Sequence, residues 1–126
     1  INHTIKMRED FRPFAPAVLE EHYKEYFDTN SPSPYMSRIC KVKTNKVPGI
    51  THVDNTARIQ TVNKNFNGKF YNLINEFYKI TGVPMLLNTS FNRQEPIVET
   101  PEHALRTFKR TSLDLLVIND WIIVKE

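Results

Sequence analysis

The chain of 126 residues has a single cysteine, Cys40, so no disulfide can form within it. That composition fits a reducing, cytoplasmic setting. Cys40 lies in the strand-like run Ile39-Cys40-Lys41-Val42, where a thiol serves as a small hydrophobe rather than a nucleophile. Glycine is nearly as scarce, with only Gly49, Gly68 and Gly82. A dinucleotide fingerprint or a P-loop needs glycines at fixed spacing, and neither is present. Any phosphate site must therefore use side chains and helix ends. Long hydrophobic runs are missing too: no segment approaches the roughly 20 apolar residues of a membrane-spanning helix. The opening residues, Ile1 to Asp10, are too polar for a signal peptide, so no membrane association is expected. Neither charge dominates, with 17 Lys and Arg against 14 Asp and Glu for a net charge of +3. Nucleic acid, double-stranded RNA included, gains little from so mild a balance. The histidines His3, His22, His52 and His103 lack metal-ligand spacing, which argues against a dedicated zinc site.

What is present describes one domain of mixed α and β character, α/β or α+β, with a twisted sheet packed by helices. Pro13 and Pro16 favour an extended path near the start. Leu19 to Phe27 has helical periodicity, with Leu19, Tyr23, Tyr26 and Phe27 on one face. The stretch from Asp28 to Pro34 is a loop by composition, and Tyr35 to Val42 has the character of a strand. Asp54-Asn55 forms a turn before the alternating strand Arg58 to Val62. Lys69 to Ile80 is the clearest helix, with Phe70, Leu73, Ile74 and Phe77 as its apolar stripe and Gly82 and Pro84 ending it. Val83 to Leu87 is a short strand, buried on both faces if its apolar run is taken literally. Thr100-Pro101-Glu102 starts a second helix with a hydroxyl cap, proline at the first position and an early acid. Leu115 to Ile118 and Trp121 to Val124 are strands joined at Asn119-Asp120. The chain opens in mid-pattern, as a piece of a larger protein would.

Three constellations carry chemistry. If residues 5–9 are extended, Lys6 and Arg8 share a face and Arg12 has the same parity. A point charge beside a planar fork suits phosphate or an acyl phosphate. The alternative is a solvated basic edge paired with Glu9 and Asp10. Arg58 opens a strand, which is commonplace, and His52 on residue grounds is a satisfied loop or strand histidine. In Leu86-Leu87-Asn88-Thr89-Ser90-Phe91-Asn92 a hydrophobic run gives way to hydroxyls and amides, either as a ligand-facing strand end or as a polar turn. Ser90 lacks a nucleophile elbow and a His/Asp pair. Phe11, Phe14 and Phe91 sit inside polar motifs, where they either wall a pocket or join the core.

Together these motifs resemble one family. The run Lys6-x-Arg8-Glu9-x-Phe11-Arg12-Pro13-Phe14-Ala15-Pro16 is followed by Thr51-His52-Val53-Asp54-x-Thr56-Ala57-Arg58-x-Gln60-Thr61-Val62. Then come Thr81-Gly82-Val83-Pro84-x-Leu86-Leu87-Asn88-Thr89-Ser90-Phe91-Asn92, Glu95-Pro96-Ile97-Val98 and Thr100-Pro101. This order is similar, over essentially the whole chain, to the C-terminal domain of the nodulation-type O-carbamoyltransferases, which also act in antibiotic tailoring. That domain resembles the threonylcarbamoyl-adenylate synthases (YrdC-like), whose K-x-R and S-x-N signature is matched by Lys6-x-Arg8 and Ser90-x-Asn92.

The resemblance implies a domain that makes carbamoyl-adenylate from carbamoyl phosphate and ATP. By analogy Lys6, Arg8 and Arg12 hold phosphoryl oxygens, while Arg58, Ser90, Asn92, Thr89 and His52 hold the carbamoyl or nucleotide end. Mg²⁺ is expected with ATP, and Asp54 is the one carboxylate singled out for it. A metal is expected in an N-terminal actin-like ATPase-type transferase domain of the same polypeptide, and a homodimer is left open. The rival expectation is a non-catalytic phosphate-binding or interaction domain that retains the fold. Two departures from the family bear on geometry: Asn55 stands where the family has glycine, and the loop Arg93-Gln94 before Glu95 is a residue short and lacks a glycine.

Overall fold

Pro13 to Pro16 leads straight into a strand, and the first core is built around it. The computed structural model describes residues 1–125, which divide into a sheet unit, Pro13–Thr89, and a second unit that joins Ile1–Arg12 to the segment from Ser90 onward. The sheet unit contains β1 (Ala15–Leu19), α1 (Tyr23–Tyr26), β2 (Phe27–Asp28), β3 (Arg38–Val42), β4 (Thr56–Val62), α2 (Gly68–Thr81) and β5 (Met85–Asn88). Its strands run in the order β2-β3-β4-β1-β5, with β1 and β4 parallel and every other pair antiparallel. The expected mixed sheet packed by helices is therefore present.

Alternation along β1 sends Val18 to one face and Ala17 and Leu19 to the other. The first face packs Val18 with Phe27, Val42, Ala57, Ile59 and Met85. The second packs Ala17, Leu19 and Val62 under Ile74 of α2. Gln60 opposes Ala17, which in turn opposes Leu86, so Arg58, Gln60 and Asn88 lie on the α2 face, beyond the part built on Leu19 and Val62. Asn88 Nδ2 donates to Gln60 Oε1 at 2.7 Å, and Gln60 Nε2 donates to the Pro34 carbonyl at 3.2 Å. Ser33, fully buried, ties the preceding loop to β4 through its N–H to Thr61 Oγ1 at 3.0 Å.

The structure corrects three expectations in this unit. The helix expected over Leu19 to Phe27 is reduced to one turn, Tyr23–Tyr26. Leu19 instead ends β1 beside Val62, and its N–H donates to the Pro84 carbonyl at 3.0 Å, so strand pairing overrides local periodicity. The stripe of α2 is rotated. Ile74 is fully buried with Phe70, Tyr71 and Tyr78 beside it, whereas Leu73 and Phe77 are exposed. The two tyrosines take the sheet side with their rings packed against the core, and the Tyr71 hydroxyl donates to Glu21. β5 is displaced from the expected Val83–Leu87 to Met85–Asn88, and its burial on both faces holds at Met85 and Leu86 but not at Leu87, which is exposed. Gly82 ends α2 at φ 71° as expected.

Cys40 is buried, its Sγ 3.7 Å from the Ala57 carbonyl, and burial pushes its thiol pKa up, with the Asp28 charge adding to the effect. A raised pKa leaves less thiolate at neutral pH. Native protein is expected to react with iodoacetamide at least tenfold more slowly than urea-unfolded protein, as followed by intact mass.

The second unit contains a wide single turn, Asn2–Lys6, followed by α3 (Pro101–Arg110) and the hairpin of β6 (Leu115–Ile118) and β7 (Trp121–Val124). Thr100 caps α3 as expected, its Oγ1 accepting from the His103 N–H at 3.2 Å. Ala104, Phe108 and Leu116 form the core, with Phe91, Val98 and Ile123 against it. Phe91 thus joins the core, while Phe11 is exposed. Among the described residues no helix is long and apolar enough to cross a membrane.

Candidate anion-binding site

Residues 5–9 are not extended. The N–H groups of Ile5 and Lys6 both donate to the Ile1 carbonyl at 3.0 Å, the Arg8 N–H reaches the Asn2 carbonyl at 3.1 Å, and Met7 is left-handed at φ 49°. The shared face expected from strand parity is therefore absent, and a turn brings the basic residues together instead. Asn2 organises that turn. Its Nδ2 donates to the carbonyls of Asp10 at 3.3 Å and Arg12 at 3.1 Å, while its Oδ1 accepts from Arg8 Nε at 2.8 Å. Arg12 Nε donates to Glu9 Oε2 at 2.7 Å, so the local pairing open on the sequence is made for Arg12.

Lys6 is only 3% exposed, and its ammonium points into the loop that follows β5. Four oxygens surround Nζ: the Ser90 carbonyl at 2.7 Å, Ser90 Oγ at 3.2 Å, the Asn92 carbonyl at 2.7 Å and Asn92 Oδ1 at 2.6 Å. An ammonium has three protons, so the donors are saturated. Burial lowers the Lys6 pKa, the charge of Arg8 lowers it further, and Glu95 opposes them. Ser90 Oγ also donates to Asn92 Oδ1 at 2.8 Å, and Asn92 Nδ2 donates to the Glu95 carbonyl at 2.7 Å. The Asn92 amide is thus used within the loop, not aimed outward. The short loop closes without strain: none of residues 90–95 has positive φ, so the glycine expected from the resemblance is not required for its backbone.

Beside this cradle lies an open cleft of about 350 Å³ whose walls include Lys6, Arg8, Arg12, Ser90, Asn92 and Arg93. Cations outnumber acids there, which suits an anion. Arg93, Glu95 and Thr107 are not among the site residues expected from the sequence, although Glu95 opens one of the family motifs. The Glu95 carboxylate accepts from Thr107 Oγ1 at 2.6 Å and from the Gln94 N–H at 3.1 Å. The Thr107 hydroxyl and the backbone N–H groups of Glu95, Gln94 and Arg93 bring its pKa down to about 2 from an ordinary 4.5. A depressed pKa means stability that is present above about pH 4.5 and lost as pH falls towards 2. Glu95→Gln is expected to flatten that acid-side loss, which urea unfolding at a series of pH values would show.

Arg58, His52 and Thr89 belong to the sheet unit. Arg58 is exposed on β4 two residues from Gln60, so the Gln60–Asn88 pair is its polar neighbour along the strand, a pair that only strand register reveals. His52 Nδ1 lies 3.1 Å from Thr56 Oγ1, and its N–H donates to the Thr56 carbonyl at 2.7 Å. Asp54 Oδ1 accepts from Thr56 Oγ1 at 2.7 Å and from the Thr56 N–H at 3.1 Å, bonds that lower its pKa. Asn55 is left-handed at φ 62°, so it fills the glycine position of the turn as expected. No cluster of three metal-ligating side chains occurs among the described residues.

A family model described as Carbamoyltransferase C-terminus matches residues 1–125. The chain is 48% identical to the nodulation protein NolNO of Sinorhizobium fredii, over 99% of the chain and 19% of that protein. It is 45% identical to the nodulation protein NolO of Bradyrhizobium diazoefficiens, over 99% of the chain and 24% of that protein. An uncharacterized protein of Synechocystis is 42% identical over 99% of the chain and 24% of its own length. The chain thus spans about a fifth to a quarter of these relatives. A family match from end to end, together with the NolO-type relatives, shows that this chain belongs to the carbamoyltransferase family as a C-terminal domain.

Proposed function

We propose that this domain binds carbamoyl phosphate and ATP and forms carbamoyl-adenylate, which a transferase domain of the same polypeptide passes to a hydroxyl acceptor. The observation that carries this reading is the cationic cleft beside the Lys6 cradle, built from the two signature motifs that lie 84 residues apart. In carbamoyl-adenylate a carbamoyl oxygen is bonded to the α-phosphorus of ATP. Water must first take the phosphoryl group from carbamoyl phosphate, leaving carbamate and inorganic phosphate, and a carbamate oxygen then displaces pyrophosphate from the α-phosphorus. Negative charge gathers on the departing oxygens, and positioning with charge neutralisation supplies most of such catalysis. Arg8, Arg12 and Arg93 bear that charge. Lys6 keeps the Ser90–Asn92 loop in shape and lends its positive field.

Arg58, Thr89 and His52 are assigned to the carbamoyl or nucleotide end by the same resemblance. Asp54 is already engaged twice by Thr56, and the described residues offer no carboxylate cluster for Mg²⁺. Mg²⁺ accordingly enters with ATP, held by phosphate oxygens and water.

Titration calorimetry with ATP and with carbamoyl phosphate tests the reading. Saturable binding that Ser90→Ala weakens is expected, since Ser90 Oγ holds both Lys6 and Asn92. Binding of both ligands unchanged in that variant would remove this site. A second reading, binding without turnover by this chain alone, is favoured by the internal use of Lys6 and the Asn92 amide. Robust carbamoyl-dependent ATP–pyrophosphate exchange by the chain would overturn it.

A further inference from the structure

The seat of Lys6 is made by a loop, and a loop holds one geometry only where something ties it down. Glu95 ties this one at both its side chain and its backbone. One carboxylate oxygen takes the Thr107 hydroxyl at 2.6 Å, and the other takes the Gln94 N–H at 3.1 Å. The Glu95 carbonyl accepts Asn92 Nδ2 at 2.7 Å, the bond that turns Asn92 Oδ1 towards Lys6. The anchor itself is rigid, because Thr107 is buried on α3 between the core residues Ala104 and Phe108.

We propose that Glu95 is a positioning residue: its carboxylate, pinned by Thr107, sets the path from Ser90 to Glu95, and with it the Asn92 amide and the four-oxygen seat of Lys6. Glu95 acts through Asn92, not on a ligand, since an ionised carboxylate repels phosphate. Its consequence for anion binding rests on the proposed function, whereas its effect on Lys6 does not.

The test reads Lys6 directly. In ¹⁵N-detected spectra of the whole chain, the Lys6 ammonium protons are expected to exchange slowly with water, because four oxygens hold them. Thr107→Val removes the hydroxyl at nearly constant volume. We expect it to speed that exchange at least tenfold and to move the amide signals of Ser90 to Gln94, while the Ala104, Phe108 and Leu116 signals persist. Glu95→Ala should do the same, and Glu95→Gln, which keeps the shape and one acceptor, should restore part of the protection. If folded Thr107→Val and Glu95→Ala both stay within twofold of the native exchange rate, Glu95 does not position the cradle. Pyrophosphate titrated into the same samples should bind about tenfold more weakly to Glu95→Ala. A native chain that binds no pyrophosphate sinks the functional reading, and the exchange rates still decide the role of Glu95.

Discussion

Lys6→Met is expected to lower the stability of the second unit by about 2–3 kcal/mol, the scale of losing charge-assisted hydrogen bonds. Methionine matches the length of the lysine stem, so packing changes little. The Ser90 and Asn92 carbonyls and Asn92 Oδ1 lose their common donor. Asn92 Oδ1 keeps only the Ser90 hydroxyl, and the two carbonyls must turn to water. Urea unfolding followed by tryptophan fluorescence reports this, because Trp121, the single tryptophan, lies on β7 of the same unit. Lys6→Arg should not rescue the loss, since a planar fork cannot converge on a seat shaped for a compact ammonium. Unchanged stability in Lys6→Met would mean that the cradle forms without its cation.

Arg8→Ala is expected to weaken ATP binding by on the order of tenfold to a hundredfold, the range for one charge-assisted phosphate contact. Arg8 is oriented by Asn2, whose Oδ1 holds its Nε at 2.8 Å, so the guanidinium is pre-set rather than recruited. Arg12→Ala should cost less. Arg12 is about half exposed and shared with Glu9, and such surface charges contribute little individually. Calorimetry on the two variants at matched ionic strength gives the comparison. Equal losses would show that the cleft works as a diffuse field instead of through a placed arginine.

Local chemistry was legible where one residue type settles a backbone choice. Thr100-Pro101-Glu102 marks the start of α3, Gly82 marks the end of α2, and Asn55 takes the left-handed turn, each within a few residues of its cause. The strand at Arg58 to Val62 was equally plain from its alternation. Failures came where a distant partner outbid the local pattern. Leu19 follows Val62 and Pro84 into the sheet rather than its own helical spacing. The α2 stripe turns because the rings of Tyr71 and Tyr78 pack against the sheet core, with the Tyr71 hydroxyl bonded to Glu21. Nothing in the sequence around Lys6 signals the turn that closes on the Ile1 and Asn2 carbonyls.

By itself the sequence determined the α and β composition, most element ends and five of the residues that line the cleft, Lys6, Arg8, Arg12, Ser90 and Asn92. Only the tertiary structure decided what each atom does. The Asn92 amide is used within the loop because the buried Lys6 ammonium takes its oxygen and the Glu95 carbonyl takes its nitrogen, and a bond to a buried charge outweighs one to water. Glu95 and Thr107 became part of the site for the same reason. Their carboxylate and hydroxyl are 12 residues apart along the chain, and the packing of α3 brings them within 2.6 Å.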